Sequence, residues 1–586
     1  KRSESLEKSL KRRNLREDYN EEFKKFLSRG VISEVSKEEI EQYTGPKNYI
    51  SHHGVLQPWK ITTPLRIVSN SSQENNGSSL NQCIPKGPNC LCDLHKLLLR
   101  FRTYEVGLIY DLSKAYHTVR TGTVEKFLRL MIWRFSEEEE WKTYGYRKMA
   151  FGDKLAATAL ECSKQEVADQ GKMIDEVAAV RIREEMYVDD GASGGTLEEV
   201  QRFVGKKDGK NKYSGTIQQI FDIGGFIVKD FVWSGRDDDE TAVLLGNSVL
   251  GYKFDAKSDL MAVKFRVNLS KKKKKIASQP DLTIHDLERL RSIKLTKRNL
   301  LGLPAGIFDP LGIASPFTIK LKIGMKQLFD LHDKLAWDDE IPSHMVDWWV
   351  DVMTEAIKAE HLKFPRGTKP KKAFGEPILI GFCDGSLSGY AAVVYIRWGL
   401  SEPEENEMHS IQILCAKAKV TPVNGCTTPK SELNAATLLS RLLKAATRAV
   451  FDTPKSVLPV GDSQCVIASL EMSSSKFKPF FMNRISEIRN NFDQIKSSCL
   501  VEDFHFIPGK QNPADRATRV DCKLTNIGLD SEWQSPEFLR KERVHWPISR
   551  DFVKNDLPLE EMRKNSLVSF LAVKISPDKG LSLIHI

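Results

Sequence analysis

Long apolar runs are missing from this sequence. No stretch of about 18 apolar residues occurs in the 586-residue chain, so it offers no helix long enough to cross a bilayer. The N-terminal segment from Lys1 to Arg29 is densely charged and holds no apolar signal core. The chain opens on Lys rather than Met, which reads as a fragment. Cysteine is scarce, with ten in all and no paired spacing of a disulfide framework. Cys90 and Cys92 are close together, but no Cys-x-x-Cys pair with a matching Cys or His pair follows. That argues against a zinc site and for free thiols in a reducing compartment. Charge of one sign does not dominate either. Lys+Arg number 88 and Asp+Glu 78, a net charge of +10. This excess is compatible with a polyanionic partner without demonstrating one. No internal repeat is evident.

Hydrophobic residues make up 40% of the chain, enough for packed cores. At roughly 100–200 residues per domain, three to five units are expected. Residues 1–50 read as a charged helix, with Leu6, Leu10, Leu15, Phe23, Phe26 and Leu27 near helical spacing. Residues 50–235 mix short strands with helices. The five lysines from Lys271 to Lys275 read as a solvated loop. Residues 283–365 are helix-rich and contain Trp337, Trp348 and Trp349. The Lys/Pro/Gly-rich stretch Phe364 to Lys372 reads as a linker. From Pro377 a new α/β pattern begins and runs to about residue 522. The last six residues, Leu581 to Ile586, resemble the translation of a sequencing-library adapter and are set aside.

Two constellations carry chemistry. In the first, an apolar run from Val106 ends in Asp111, and Glu185-Met-Tyr187-Val188-Asp189-Asp190-Gly191 places two adjacent acids between an apolar approach and a glycine. A strand and tight turn would put both acids at a hairpin tip. If the strand ending at Asp111 lies alongside, three carboxylates converge, which is costly without a partner. Two Mg²⁺ ions about 4 Å apart would relieve that repulsion, activate a 3′-hydroxyl and hold a leaving pyrophosphate. Mg²⁺ suits oxygen ligands shared with substrate phosphates.

In the second, Leu379-Ile-Gly-Phe-Cys-Asp384 is an apolar strand ending in an acid, and Ala391 to Tyr395 is a second strand. Apolar residues at 433, 436, 439, 442 and 443 mark a helix, with Pro429 at its start and Glu432 in its first turn. Ser456 to Asp462 is another strand ending in an acid, and Phe504 to Asp515 runs strand, loop and helix start. Four acids placed in this way around two Mg²⁺ would split a phosphodiester with an activated water.

Tyr-Val-Asp-Asp resembles the catalytic turn of retroviral and retrotransposon reverse transcriptases, and Asp111 with Tyr116 resembles their first catalytic motif. Ile61-Thr-Thr-Pro-Leu-Arg66 is similar to the fingers segment whose Arg contacts the incoming triphosphate. Phe151-Gly152 stands where a nucleotide-binding loop is expected, and Gly224 to Lys229 resembles the start of a primer-grip hairpin. Gly77-Ser-Ser-Leu80-Asn81 through Gly87-Pro88, Leu97 to Arg102, Met131 to Arg134, Leu295-Thr-Lys-Arg298 and Ile307-Phe-Asp-Pro-Leu-Gly312 resemble BEL/Pao-type LTR retrotransposons. The region after the polymerase in that lineage carries the name "Pao retrotransposon peptidase". The order Asp384, Glu432, Asp462, Asp515 resembles ribonuclease H. Two stretches depart from the pattern. Val68-Ser69-Asn70-Ser71 replaces an apolar residue and an Asp, and Asp153 to Thr158 lacks a Ser-Pro. The loop Pro508 to Pro513 carries no His, and His505 reads as structural.

The resemblance implies an α/β (α+β) multidomain chain. Fingers and palm of a right hand, with the charged N-terminal helix, would fill 1–235, thumb and connection 236–370, and a ribonuclease H-like domain 371–522. Residues 523–586, with Trp533 and Ser535-Pro536, would form a spacer toward an integrase. The implied function is RNA-directed DNA synthesis with degradation of the RNA strand of the hybrid. Asp111, Asp189, Asp190, Asp384, Glu432, Asp462 and Asp515 would be catalytic and metal-ligating. Arg66, Phe151, Gly152 and Tyr187 would bind substrate, and Tyr116 would gate against the ribose 2′-hydroxyl. The cofactor would be Mg²⁺, with Mn²⁺ as an alternative. Partners would be RNA template, DNA primer, RNA–DNA hybrid, dNTPs and other Gag/Pol products, with no membrane. Location would be cytoplasmic, in virus-like particles. Two other readings stand beside this one. One is a decayed or domesticated copy that only binds nucleic acid. The other is an aspartic peptidase, for which the nearest match, Asp384-Gly385-Ser386, has its order reversed.

Overall fold

The computed structural model describes residues 1–56, 64–75, 77–208, 212–235, 248–269, 281–331, 335–404, 407–422, 426–551 and 557–564. The lysine run at 271–275, residues 61–63 of the fingers segment and the last six residues lie outside these. The chain forms two compact units. The first comprises Lys1–Asp93, Ile109–Ala192 and Glu198–Phe231, and the second Leu94–Leu108, Ser193–Leu197 and Val232–Ile586. Among the described residues no helix is long and apolar enough to cross a membrane.

The N-terminal segment is not one helix. Helices Arg2–Arg12 and Arg16–Ser28 are separated at Asn14, whose φ of 53° is left-handed, and Asn is among the few residues that tolerate this conformation. The expected apolar stripe is real. Leu10, Phe23 and Phe26 are buried, and Phe23 stacks on Trp133 at 5.9 Å. The strands here are β1 (Ile32–Glu34), β2 (Ser51–Leu56), β3 (Leu65–Asn70), β4 (Val106–Leu112), β5 (Leu130–Trp133), β6 (Lys142–Tyr146), β7 (Met186–Tyr187), β8 (Asp190–Gly195) and β9 (Val228–Trp233). They pair in the orders β1-β6-β5, β2-β3 and β7-β8-β4-β9.

In the second unit, β10 (Ser248–Val249), β11 (Tyr252–Asp255), β12 (Leu260–Lys264) and β13 (His361–Pro365) form one antiparallel sheet. A larger sheet is built from β14 (Ala373–Gly385), β15 (Gly389–Glu404), β16 (Glu407–Val420), β17 (Ser456–Gly461) and β18 (Leu500–Val501) in the order β16-β15-β14-β17-β18, and β19 (His505–Phe506) also pairs with β17. β14 to β16 are antiparallel meanders, whereas β17 runs parallel to β14. A parallel neighbour requires a crossover, and helix Thr428–Ala449 supplies it, with Pro429 in its first turn. Leu433, Ala436, Leu439, Leu442 and Leu443 are all buried, as their spacing predicts. Each fully buried Leu is worth about 1.5–3 kcal/mol.

Two expectations about boundaries are corrected. Residues 364–372 are no free linker. Phe364 closes β13 in the core, and Arg366 is fully buried. Its guanidinium grips both Asp259 oxygens at 2.6 and 2.7 Å and the carbonyls of Phe101, Tyr104 and Glu105. Lys, Pro and Gly mark loops by composition, but a fork of five donors can saturate a buried corner of backbone. The stretch read as a spacer is also packed where Trp533 lies. Trp533 is fully buried, donates to the Ile313 carbonyl at 2.8 Å, and its own carbonyl accepts from Tyr395. The Phe-Asp-Pro-Leu-Gly signature has a structural role too. Asp309 accepts from Tyr252 Oη and from the amides of Ile313 and Ala314, bracing the turn that leads into helix Ser315–Asp330.

Candidate active sites

Three acids of the second unit converge. Asp384 sits near the end of β14, Glu432 just past the first turn of helix Thr428–Ala449 rather than within it, and Asp462 directly after β17. Ligand atoms of all three lie within 4.8 Å of one another, the one such group among the described residues. The parallel pairing that sets Cys383 opposite Gly461 brings the two strand ends level. Gly385 brings in the helix: a Cβ there would stand 2.5 Å from the Glu432 nitrogen, so only glycine permits this approach.

The electrostatics follow from this crowding. Burial and the charges of Asp462 and Asp384 push Glu432 up to about 9. Burial, with Asp384 beside it, pushes Asp462 up to about 7. Burial also raises Asp384, against a hydrogen bond from the Thr518 hydroxyl. One Asp462 oxygen is buried without a partner. Clustered hard oxygen donors, raised pKa values and an orphaned carboxylate oxygen fit a divalent cation.

Asp515 lies in the 3-10 turn Pro513–Ala517 and lines the same open cavity of about 720 Å³. Its carboxylate is paired with Arg519 at 2.6 Å and does not join the three-acid group. Lys510 and Arg519 add two cations to the cavity wall. Asn512 orients the loop, donating to the Cys383 carbonyl at 2.9 Å and capping the Ala514 amide at 3.1 Å. Thr518 and Arg519 escape sequence reasoning because only proximity reveals them, although both lie within four residues of Asp515, and Asn512 is the first residue of the Asn-Pro-Ala-Asp motif without having been given a role. His505 is in β19, and its ring nitrogen meets the Asp503 carbonyl at 2.7 Å.

The first constellation lies in the other unit. Val188 and Asp189 form the turn between β7 and β8, and the Leu112 amide donates to the Asp189 carbonyl at 3.1 Å. The strand carrying Asp111 therefore runs beside the acid turn. Asp111 and Asp189 are half-buried and Asp190 exposed, and they do not form a group as tight as that of Asp384. Tyr187 pairs with Asp190 across the hairpin. Tyr116 and Phe151 meet edge-to-face at 5.0 Å. Burial, then the charges of Asp189 and Glu161, raise the Tyr116 hydroxyl. Gly152, at φ 105°, lies so close to the Ser69 carbonyl that a Cβ would stand 2.4 Å away. Arg66 is half-buried on β3, opposite Val55. The two departures from the family pattern meet each other here. Asp153 is buried, ion-paired to Arg129, and accepts from Ser71 Oγ.

Residues 296–462 match a family model described as the Pao retrotransposon-like RNaseH-like domain. Over that span, and not over the whole chain, the sequence is similar to a Pao-type RNaseH-like domain. The matched span begins within the Leu295-Thr-Lys-Arg298 signature and ends on Asp462. Its description is RNaseH-like, where the resemblance had carried the name of a peptidase. No curated protein matches the chain. Among solved structures, the foamy viral protease-reverse transcriptase dRH in complex with double-stranded DNA is similar at 14% identity and a TM-score of 0.45, covering 82% of this chain and 67% of that one. The foamy viral protease-reverse transcriptase in complex with an RNA/DNA hybrid is similar at 13% identity and a TM-score of 0.46. That match covers 82% of this chain and about half of the other, at 52%.

Proposed function

We propose that the chain is an RNA-directed DNA polymerase with ribonuclease H activity, acting on retroelement RNA and on the RNA–DNA hybrid it forms. The observation that carries the nuclease half is the convergence of Asp384, Glu432 and Asp462 within the Pao-type RNaseH-like domain. Divalent cations bound there would activate a water and neutralise charge on the scissile phosphate. The chain's own residues hold the acids and the substrate. Thr518 fixes one Asp384 oxygen, Gly385 sets the approach of Glu432, and Asn512 holds the loop in which Lys510 faces the cavity. Lys510 and Arg519 are placed to meet the backbone phosphates of a hybrid. For the polymerase half, support comes from the Asp189-Asp190 turn beside the strand of Asp111, with Tyr116 against Phe151. Asp111, Asp189 and Asp190 would take the metals, Arg66 the triphosphate, and Tyr116 the sugar face. RNA template, DNA primer and dNTPs are the implied partners.

The test gives purified protein a primed RNA template, dNTPs and Mg²⁺, and separately a labelled RNA–DNA hybrid. Extension of the primer and shortening of the RNA strand are expected. Binding of both nucleic acids with neither product would leave a nucleic-acid-binding remnant instead.

A further inference from the structure

Helix Ala156–Gly171 carries Glu161 and Lys164 one turn apart, and both are buried. They pair at 2.9 Å. A buried ion pair repays its desolvation only when its remaining donors and acceptors are satisfied. Here both partners turn to a single residue. Glu161 Oε1 accepts from the Val188 amide at 3.0 Å, and Lys164 Nζ donates to the Val188 carbonyl. Val188 is the second residue of Tyr-Val-Asp-Asp, and its φ is 59°. A β-branched residue in the left-handed region is an outlier, and it persists only where its surroundings over-determine it. The surroundings do so on both sides. The Cys92 thiol donates to the Met186 carbonyl at 2.8 Å, and the Leu112 amide to the Asp189 carbonyl at 3.1 Å.

We propose that Glu161 and Lys164 are positioning residues that clamp the Val188 backbone and thereby fix where Asp189 and Asp190 stand. The inference rests on reading those two acids as polymerase metal ligands. The clamp contributes no ligand of its own. It holds a strained turn in one conformation, so that the two carboxylates need no reordering when metal and nucleotide arrive. A misplacement on the order of 1 Å costs about 100-fold in rate, so a rigid turn is worth a buried charge pair.

The experiment uses the full chain, primer extension on an RNA template, and Lys164→Met, Glu161→Gln and the double variant. Expected in each is a maximal rate lower by about 10–100-fold and a several-fold higher Mg²⁺ concentration for half-maximal rate. Template–primer affinity and circular dichroism should stay at wild-type values. Adding Val188→Gly to Lys164→Met should restore much of the rate, because glycine takes φ near 59° without strain. Should Lys164→Met misfold, Glu161→Gln, which keeps shape and an acceptor oxygen, carries the test. A folded variant with unchanged rate and unchanged Mg²⁺ dependence overturns the clamp while leaving the polymerase reading intact. A wild-type protein that extends no primer overturns both.

Discussion

Glu432 lies among two other carboxylates with its side chain largely out of water, and that placement has a thermodynamic sign. Its ordinary value near 4.5 is raised to about 9 in the fold, and Asp462 is raised to about 7. The folded state therefore binds more protons than the unfolded chain between these limits. Stability must fall as pH rises from about 5 toward 9 when no metal is bound. If the ionised set of the native state holds Mg²⁺ as proposed, the added ion should reverse the trend. The melting temperature of EDTA-treated protein is expected to drop between pH 6 and pH 8, and added Mg²⁺ to raise it more at pH 8. Glu432→Gln should flatten the metal-free profile and remove most of the Mg²⁺ effect. A flat wild-type profile, with Mg²⁺ shifts equal at both pH values, would sink the argument. Tyr116 belongs to the same scale. If Tyr116, packed against Phe151, stands at the sugar face as proposed, Tyr116→Ala should raise rNTP use relative to dNTP by about 10–200-fold. The ratio of kcat/KM values for the two substrates measures it, and an unchanged ratio would remove Tyr116 from the gate.

At the scale of elements, Arg366, directly after β13, ties helix Leu94–Thr103 and the two residues after it to Asp259 through its guanidinium and three carbonyls. Arg366→Ala would leave those carbonyls unsatisfied and Asp259 unpaired, a loss of about 3 kcal/mol. A fall in melting temperature of about 4 °C follows for a unit of this size, and a shift within about 1 °C would refute it. No sequence pattern announces this tie, because Arg366 in Phe-Pro-Arg-Gly-Thr looks like any loop cation. What the sequence does disclose is periodic. The strand ending at Asp384 and the helix bearing Glu432 are written in apolar spacing, and the structure places them as read. The helix break at Asn14, the burial of the Glu161–Lys164 pair and the docking of Trp533 are not written so. The pair and the tryptophan depend on tertiary neighbours dozens to hundreds of residues away, and a polar residue carries no local mark of being buried, whereas the break at Asn14 has only the weak local mark of the Asn itself.

At the scale of the molecule, the two sets of acids fall in different compact units. Asp111, Asp189 and Asp190 belong to the first, and Asp384, Glu432, Asp462 and Asp515 to the second. A compact unit with its own core can hold its own ligands. The Asp462 side is set by β14–β17 pairing and by helix Thr428–Ala449, and the Asp189 side by Val188 and Leu112. No ligand is shared, so the two chemistries should separate by single substitutions that keep shape and remove one charge. Asp462→Asn is expected to abolish cleavage of the RNA strand of a hybrid and to leave primer extension within about threefold, less than 1 kcal/mol on the barrier. Asp189→Asn is expected to do the reverse. Both activities should vanish with EDTA and return with Mg²⁺, since both sets offer carboxylate oxygens alone. One labelled hybrid with a recessed primer, given dNTPs, reports extension and cleavage in the same lane. Loss of both activities in either variant, with circular dichroism unchanged, would mean that the sites depend on each other. Hybrid cleavage that persists in Asp462→Asn would take the nuclease away from the three-acid cluster.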